Sequence, residues 1–329
     1  MKTYDLICLG AGPTGLACAI EAVRAGLKPL VIDKGALCNS IFNYPANMVF
    51  FTTPELLEIG DLPLICAAEK PTRVEALKYY RKATEHFSLE VRLYELVTKL
   101  EGSDGKFVVT TKAEDGREVQ YQGAKVVVAT GYYDLPNEIG IPGENLPHVS
   151  HYYSEPYKFW SQNVVVVGGK NSAAEAALDL WRNGVRVTMV HRDGEMGSTI
   201  KYWVKPDIEN RIKAGQIPMH FNSTVREITT EEIVIQNAQG TTKLPARQVF
   251  LLTGYHPDFA FIESLGVKLD PETKRPAMDP ETHESNISGL YVAGVVVGGR
   301  YTGEIFIENG RFHGKQIVQS LTRAHAKNV

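Results

Sequence analysis

The chain has 329 residues, of which 43% are hydrophobic and 22% charged, and its formal net charge is −3 at pH 7. These values are typical of a globular protein and show neither the basic footprint of a nucleic-acid-binding domain nor an acidic tail. No apolar run is long enough to span a bilayer, and the apolar N-terminal stretch is interrupted by Asp5 without a small-residue cleavage site after it. We therefore expect a cytoplasmic protein of one large domain or two ordinary ones.

Two segments about 160 residues apart share one layout, which is the signature of an internal duplication. Residues 4–34 and residues 162–192 both run from an apolar strand through a glycine-rich turn and a helix to a second strand. Each strand is continuously apolar, as expected of a parallel strand buried on both faces. Each helix ends at a glycine, Gly26 or Gly184, just before the next strand. The pattern predicts two βαβ units.

The glycine turn of the first unit matches the GxGxxG fingerprint and consists of Gly10, Ala11, Gly12, Pro13, Thr14 and Gly15. In such a loop Gly10 makes the tight turn, Gly12 lets the backbone approach a pyrophosphate, and Gly15 permits close packing of the helix on the strand. The free N–H groups of the helix then face the phosphates. Asp33 ends the next strand about 20 residues further on, where a carboxylate can accept hydrogen bonds from a ribose diol. The motif by itself predicts FAD or NAD.

The turn of the second unit is a variant of this fingerprint, made of Gly168, Gly169, Lys170, Asn171, Ser172 and Ala173. Lys170 stands where a glycine usually allows the closest approach of the pyrophosphate, although a lysine can itself pair with phosphate. His191 and Arg192, not an acidic residue, follow the next strand. Arginine at this position suits a 2′-phosphate and favours NADPH over NADH, and Lys201 is a further candidate phosphate partner.

The rest of the chain predicts how these units are arranged. Further buried strands are expected at 124–131, 246–258 and 289–296, and a helix from near Glu304 to the C-terminus. The simplest architecture is an α/β fold with two Rossmann-like, three-layer ββα nucleotide-binding domains, the second inserted into the first. Residues 1–135 and 259–329 would form the FAD-binding domain, and residues 136–258 the NADPH-binding domain.

Three short motifs indicate a family. They are ATG at Ala129–Gly131, TGYHP at Thr253–Pro257 and GLYVAG at Gly289–Gly294. Together with the two glycine loops, in this order over almost the whole chain, they resemble the low-molecular-weight thioredoxin-reductase-like flavoproteins. The resemblance implies that the first unit binds FAD, that the second binds NADPH, that the domains rotate during turnover, and that the protein is a homodimer.

Within that family the chain is most similar to the bacillithiol disulfide reductase branch, through residues 39–63, 126–137, 164–180 and 306–317. Lys170 is shared with that branch, and so is Val295, where thioredoxin reductases usually have an aspartate. The CxxC pair of thioredoxin reductases is missing from residues 150–160. Members of the branch typically have a cysteine in the first loop between its proline and its last glycine, where this chain has Thr14.

The four cysteines are Cys8, Cys18, Cys38 and Cys66, and they form neither a CxxC pair nor a zinc spacing. We expect no metal site and no structural disulfide. Cys38 is predicted to be the most exposed thiol and is a weak catalytic candidate; the remaining chemistry should belong to the flavin. Besides the two loops, Asp33, His191, Arg192 and Lys201, the expected cofactor contacts are Lys34, Asn39, Ser40, Val97, Ala129, Thr130, Gly131, Gly254, Gly294, Val295, Ile305 and Phe306.

Three functions follow from these observations. The first is an NADPH-dependent, FAD-dependent reductase of a low-molecular-weight disulfide such as bacillithiol disulfide. The second is a ferredoxin- or flavodoxin-NADP reductase on the same fold, which would exchange electrons with a small redox protein. The third is a non-enzymatic redox-sensing or nucleotide-binding module. We expect neither nucleic acid nor a membrane as a partner.

Overall fold

The computed structural model of the protein describes residues 1–327. In chain order the strands are β1 (Lys2–Leu9), β2 (Pro29–Ile32), β3 (Val91–Arg92), β4 (Glu95–Glu101), β5 (Phe107–Ala113), β6 (Glu118–Val128), β7 (Leu135–Pro136), β8 (Val149–Ser150), β9 (Asn163–Val167), β10 (Arg186–Val190), β11 (Met219–His220), β12 (Thr224–Ile228), β13 (Glu232–Asn237), β14 (Gly240–Pro245), β15 (Gln248–Leu251), β16 (Tyr255–His256) and β17 (Leu290–Val292).

The helices are α1 (Pro13–Arg24), α2 (Asn39–Phe42), α3 (Arg73–His86), α4 (Asn171–Arg182), α5 (Lys205–Lys213), α6 (Phe259–Ser264), α7 (Ile307–Gly310) and α8 (His313–Lys327). Short 3₁₀ turns lie at Pro54–Leu56, Tyr157–Phe159 and Gly294–Gly298. Across residues 1–327 none of the helices has the length and apolar character needed to cross a membrane.

The chain folds into two units. The first contains residues 1–43, 48–135 and 255 onward, and the second contains residues 44–47 and 136–254. The first unit is therefore discontinuous in sequence, and it resumes at Tyr255.

The sheet of the first unit has the strand order β3-β2-β1-β6-β5-β4, with β17 also pairing with β6. β1 lies parallel to both β2 and β6, while β5 runs antiparallel to β6 and β4 antiparallel to β5. The apolar run Leu6–Leu9 is fully buried because the sheet covers it on both sides. α1 connects β1 to β2 and is followed by Gly26, whose φ of +77° ends the helix.

α1 also contacts α8 at very short range. A Cβ on Gly314 would lie 2.8 Å from both the Cα and the backbone nitrogen of Cys18. Only glycine at position 314 lets the two helix backbones approach this closely, and Cys18 is buried as a small apolar residue at the crossing.

The second unit has three layers. Its parallel sheet has the order β11-β10-β9-β15-β8, and a separate antiparallel sheet has the order β12-β13-β14. Alternate residues of β9 face opposite sides: Val164 and Val166 pack in the cluster that contains α4, and Val165 and Val167 pack in the cluster that contains β13. This alternation follows from the two-residue period of a strand, and it explains why β9 reads as an unbroken apolar run.

Both predicted βαβ units are thus present, with differences at the C-terminus. The expected helix from Glu304 is divided into α7 and α8. The division falls at Arg311 and Phe312, where the N–H of Phe312 bonds the carbonyl of Asn309, three residues back, instead of a carbonyl four residues back. The expected strand at 289–296 is only three residues long, since Gly294 has a φ of +75° and turns the chain out of the sheet.

Candidate dinucleotide-binding sites

The first glycine loop is closed against the turn that follows β6. Gly10 has a φ of +114°, and a Cβ on it would overlap the carbonyl oxygen of Ala129. A Cβ on Gly15 would overlap the carbonyl oxygen of Gly10. The backbone of Ala129 is held in place by a hydrogen bond from its N–H to the carbonyl of Leu9, at 2.8 Å. Glycines at 10 and 15 are therefore required by sterics, as the fingerprint predicts.

The N-terminus of α1 is open. Gly12 precedes the helix in an extended conformation, Pro13 occupies the first turn, and no side chain within the described residues caps the free N–H groups. A Cβ placed on Gly12 would have nothing within 4 Å. Open space in front of uncapped N–H groups is the environment that a pyrophosphate needs, so the loop fits a dinucleotide.

Asp33 is bonded directly to this loop. Its Oδ2 accepts the N–H of Ala11 at 2.7 Å, and its Oδ1 accepts the N–H of Gly35 at 2.8 Å. Burial raises the pKa of Asp33, and the two backbone donors act in the opposite direction. Each carboxylate oxygen keeps a further lone pair, which is available to a ribose hydroxyl. The next residue, Lys34, forms an ion pair with Asp134 at 3.0 Å.

Residues from two further segments lie beside the first loop. Thr130 has a buried Oγ1 without a hydrogen-bond partner among the described residues, so a polar group is left for a ligand to satisfy. Gly131 has a φ of +74°, and a Cβ on it would lie 3.7 Å from the Oγ of Ser40. Asn39, the neighbour of Ser40, accepts the N–H of Ala36 through its side chain at 3.3 Å.

Thr14 lies between two distant glycines of the first unit. Cβ atoms built on Gly294 and Gly310 would lie 3.0 Å and 3.2 Å from its Oγ1. The Cβ on Gly310 would also be 3.4 Å from the Cγ2 of Ile305. The start of α1 is thus where Thr14 meets residues 294, 305 and 310, which lie almost 300 positions further along the chain.

The first site was also predicted to contain Val97, Val295 and Phe306. Val295 is half-buried next to Gly294, and Phe306 is half-exposed with its ring 5.6 Å from that of Phe51. Val97 lies in β4, two positions after Glu95, whose N–H bonds the carbonyl of Asp33 at 2.9 Å.

The second glycine loop repeats the backbone of the first. Gly168 has a φ of +142°, and a Cβ on it would lie 2.6 Å from the carbonyl oxygen of Leu252. Its N–H bonds the carbonyl of Val190 at 2.9 Å, just as the N–H of Gly10 bonds Ile32 at 2.7 Å. A Cβ on Gly169 would overlap the imidazole ring of His191, so this side chain would have to move to make room for one.

Lys170 is accommodated because its backbone needs no glycine. It precedes α4 with φ −113° and ψ −168°, an ordinary extended conformation, and its side chain is exposed. Asn171 ties the loop to the segment before α5: its Nδ2 donates to the carbonyl of Thr199 at 3.0 Å, and its Oδ1 accepts the N–H of Lys201 at 2.9 Å. Ser172 is exposed and Ala173 is buried against the sheet.

The charges around the second loop are basic. Burial lowers the pKa of His191, with the positive charges of Arg192 and Lys170 adding to the effect and Asp193 opposing it from 3.3 Å. The side chain of Arg192 is 80% exposed, so its guanidinium is accessible to a phosphate. Lys201 is mostly buried, and its ammonium lies 2.7 Å from the carboxylate of Glu175.

Gly254 lies two residues beyond Leu252, the residue that packs on Gly168. It has a φ of +94°, and its carbonyl accepts the N–H of Asn137 at 2.9 Å. Gly254 therefore lies two residues from a direct contact with the second loop.

The cysteines differ from expectation. Cys38 is 1% exposed and not the most accessible thiol, because its left-handed backbone turns the side chain inward before α2. Burial raises the pKa of the Cys38 thiol, as it does for Cys8 and Cys18. Cys66 is the partly exposed one. The prediction of an exposed Cys38 is therefore wrong, and its burial argues against a catalytic role.

The sequence did not single out His313, which is buried at the start of α8. Its Nδ1 accepts the N–H of Gly294 at 3.0 Å. A histidine at this position has no local sequence signature, because its partner is a backbone group 19 residues away.

The chain has two Rossmann-type units. Each has a glycine loop at the carboxyl end of a parallel strand, followed by a helix without a side-chain cap. This arrangement defines a two-dinucleotide oxidoreductase. The family model of the pyridine nucleotide-disulphide oxidoreductases matches residues 7–294, and the chain belongs to that family. It is an enzyme whose cofactors are FAD and NADPH. The predicted α/β fold and the predicted family resemblance are confirmed.

Individual relatives cover nearly the whole chain. It is 42% identical over 319 residues to the bacilliredoxin reductase Bdr of Bacillus subtilis (strain 168), an alignment that spans 96% of this chain and 97% of the relative. Among solved structures, the bacillithiol disulfide reductase Bdr (YpdA) from Bacillus cereus aligns with a TM-score of 0.96 at 41% identity, covering 98% of this chain and 100% of that one. The protein of the same name from Staphylococcus aureus aligns with a TM-score of 0.93 at 37% identity, covering 98% of this chain and 99% of that one.

Proposed function

We propose that the protein is an NADPH-dependent reductase of a low-molecular-weight disulfide of the bacillithiol disulfide class. We infer the substrate class from the structural similarity to the two Bdr structures, with TM-scores of 0.96 and 0.93 over 98% of the chain. FAD would bind the domain predicted at residues 1–135 and 259–329, and NADPH the domain predicted at residues 136–258.

The residues of the first unit fit FAD. The N–H groups of α1 would hold the pyrophosphate in front of Gly12, and Asp33 would accept the ribose hydroxyls. Asn39, Ser40, the turn at 129–131 and the Gly294–Val295 turn would surround the rest of the cofactor. When bound, FAD takes two electrons from NADPH and passes them to the acceptor. The chain's own part is to bind, orient and exclude water.

The residues of the second unit fit a phosphorylated nucleotide. Arg192 presents an exposed guanidinium directly after β10, and the depressed pKa of His191 leaves that ring a neutral hydrogen-bonding group near pH 7. Lys170 lies at the free end of α4, where it would pair with the pyrophosphate. Lys201, already paired with Glu175, would act by orienting Asn171 and the segment beside the loop.

Reduction of a disulfide consumes two electrons and two protons and yields two thiols. Thr14 cannot form a mixed disulfide, Cys8, Cys18 and Cys38 are buried, and the thiol of the partly exposed Cys66 donates to the carbonyl of Ala68. We propose that this enzyme reduces its substrate without a covalent intermediate on an enzyme thiol. A small acceptor that reaches the cofactor directly satisfies this requirement.

The test is turnover of purified enzyme with NADPH and bacillithiol disulfide, followed by both NADPH oxidation and thiol formation in a ratio of about one to two. Activity should persist after the NADPH-reduced enzyme is alkylated with iodoacetamide, and in Cys38→Ser. Turnover with ferredoxin or flavodoxin but not with bacillithiol disulfide would overturn the substrate assignment. Loss of activity on alkylation would instead show that a thiol takes part.

We also propose that the protein is a cytoplasmic homodimer. Four unpaired cysteines suit a reducing compartment, and the family to which the chain belongs supports the dimer. Size-exclusion chromatography with light scattering tests the dimer.

A further inference from the structure

A pair of buried histidines lies behind the Gly294 turn of the first unit. The rings of His283 and His313 are stacked with their centroids 4.1 Å apart and their planes 31° from parallel. His283 is 5% exposed and His313 7% exposed. The two residues come from different segments, since His283 precedes β17 and His313 begins α8.

The hydrogen bond at His313 fixes the state of its ring. The N–H of Gly294 donates to Nδ1 at 3.0 Å, and both groups are buried. A nitrogen that accepts a hydrogen bond carries no proton, so His313 is neutral, with its proton on Nε2. If Nδ1 were protonated, two donors would face each other in a buried place.

The peptide that His313 holds is next to the proposed cofactor. Gly294 has a φ of +75°, it directly follows the buried β17 segment, and Cβ atoms built on it would contact the Oγ1 and Cβ of Thr14. A small rotation of the Gly294 peptide would therefore move the Gly294–Val295 turn against the start of α1. Among residues 1–327 no other group accepts the N–H of Gly294.

His283 keeps the His313 ring in place from behind. The backbone of His283 has a φ of +62°, and its carbonyl accepts the N–H of Val292 at 3.0 Å, which ties it to β17. Its Nε2 lies 3.0 Å from the side-chain oxygen of Gln316, one turn along α8. The stack thus connects the segment before β17, the Gly294 turn and the first turn of α8.

We propose that His313 is a positioning residue of the flavin site, and that it sets the orientation of the Gly294–Val295 turn through its Nδ1 acceptor. This inference rests on the proposed binding of FAD to the first unit. It assigns to His313 a role that acts through a backbone amide, and it gives His283 the supporting role of holding the ring.

The experiment compares two substitutions that differ in one acceptor. Asn at position 313 keeps an oxygen near the place of Nδ1, whereas Leu fills the space without an acceptor. We expect apo-His313→Leu to bind FAD at least about tenfold more weakly than wild type, because the buried N–H of Gly294 loses its partner. Apo-His313→Asn should stay within about threefold of wild type. The measurement is titration of the apoprotein with FAD, alongside the absorption spectrum of the bound flavin.

Gln319→Ala is the matched control, because its side chain is exposed on α8 and its removal leaves the hydrogen bonds of His283 and His313 unchanged. We expect its FAD affinity to remain within about twofold of wild type. The apoproteins are also melted, so that a loss of folding is separated from a loss of FAD affinity. If His313→Leu does not fold, the comparison of His313→Asn with wild type decides.

Equal FAD affinities of His313→Leu and wild type, or an equal loss in His313→Asn and His313→Leu, would overturn the proposal. Such a result would leave His313 as a packing residue while wild type still binds FAD and is reduced by NADPH. A wild-type protein that does not take up FAD would instead contradict the proposed function itself, so the two failures are distinguishable.

Discussion

The two glycine loops make a similar backbone turn at their first residue and have different side-chain partners. In each, the first residue has a positive φ, its N–H bonds the end of the second strand, and its missing Cβ makes room for the carbonyl of a neighbouring strand end. The equivalent positions are Gly10 and Gly168, Gly12 and Lys170, Gly15 and Ala173, Asp33 and His191, and Lys34 and Arg192.

The two loops differ in the side chain that contacts them. In the first unit the carboxylate of Asp33 accepts a loop N–H, whereas in the second the imidazole of His191 lies against Gly169. In the proposed sites the loop backbone would hold the phosphates in both units, and the residue after the second strand would select the ligand through its charge. A carboxylate disfavours a 2′-phosphate, and a neutral imidazole beside an exposed arginine accepts one.

The largest effect is expected from exchanging the residue of the third equivalent pair, Gly15 and Ala173. Gly15→Ala places a Cβ onto the carbonyl oxygen of Gly10, with no flexible side chain to yield, and should destabilise the first unit by about 4 kcal/mol or more. The matched change, Ala173→Gly, should cost only about 1–2 kcal/mol. Thermal unfolding and FAD content of both variants measure the difference. Equal costs would show that the overlap with the carbonyl of Gly10 does not determine the cost at Gly15.

Acid should affect the first unit next. Burial, with the neighbouring His283 adding to it, lowers the pKa of His313 from 6.5 to about 4. Between these values the unfolded chain binds the proton more readily, so the stability is fully present above pH 6.5 and is lost as the pH falls to about 4. The loss from this group is on the order of 3 kcal/mol. Burial also lowers the pKa of His283, and the negative charge of Asp279 opposes this effect.

The measurement is the urea midpoint of wild type and His313→Asn from neutral to mildly acidic pH. The variant should show a flatter profile, since it lacks the titrating group. His86→Asn serves as the control, because it makes the same exchange at an exposed position of α3. A parallel pH profile for wild type and His313→Asn would contradict the assignment.

The third prediction tests the contact between His191 and its loop. Gly169→Ala pushes the imidazole away and should raise the KM for NADPH about tenfold, with FAD content unchanged. In the double variant Gly169→Ala/His191→Ala the new methyl has room, so its further cost on top of His191→Ala should be small. Steady-state kinetics of the four proteins give the coupling. Additive effects would show that the overlap is not what limits binding.

The smallest effect is expected from the exposed arginine. Arg192→Ala should raise the KM for NADPH about fivefold and leave that for NADH nearly unchanged, because the arginine is solvated and its pairing with a phosphate is partly screened. Lys34→Ala, the equivalent change in the first unit, should alter neither constant. An equal loss with both nucleotides after Arg192→Ala would remove it from the 2′-phosphate site.

Sequence patterns predicted the two units because both depend on local rules. A continuous apolar strand, a glycine turn and a helix closed by Gly26 or Gly184 are contiguous, so their spacing is readable. The acidic and basic residues after the second strands could be read for the same reason. The conflict at Lys170 was also visible, but only the structure shows that its backbone is extended and needs no glycine.

Other features depend on contacts between distant segments. The burial of Cys38 follows from its left-handed backbone before α2, which no neighbouring residue announces. The division of the last helix and the contact of His313 with Gly294 arise where α8 meets the end of β17. Because such contacts join residues far apart in the chain, propensity and periodicity carry no signal for them.

The order in which the ribosome makes the chain has a consequence for cofactor loading. Residues 136–254 form a complete unit before residues 255 onward are synthesised, yet β6 in the first unit needs β17 as a neighbour and α1 needs α8 at Gly314. Vectorial synthesis therefore finishes the second unit first, against the usual N-terminal-first order. We expect the nascent chain to acquire its flavin only after α8 has left the exit tunnel.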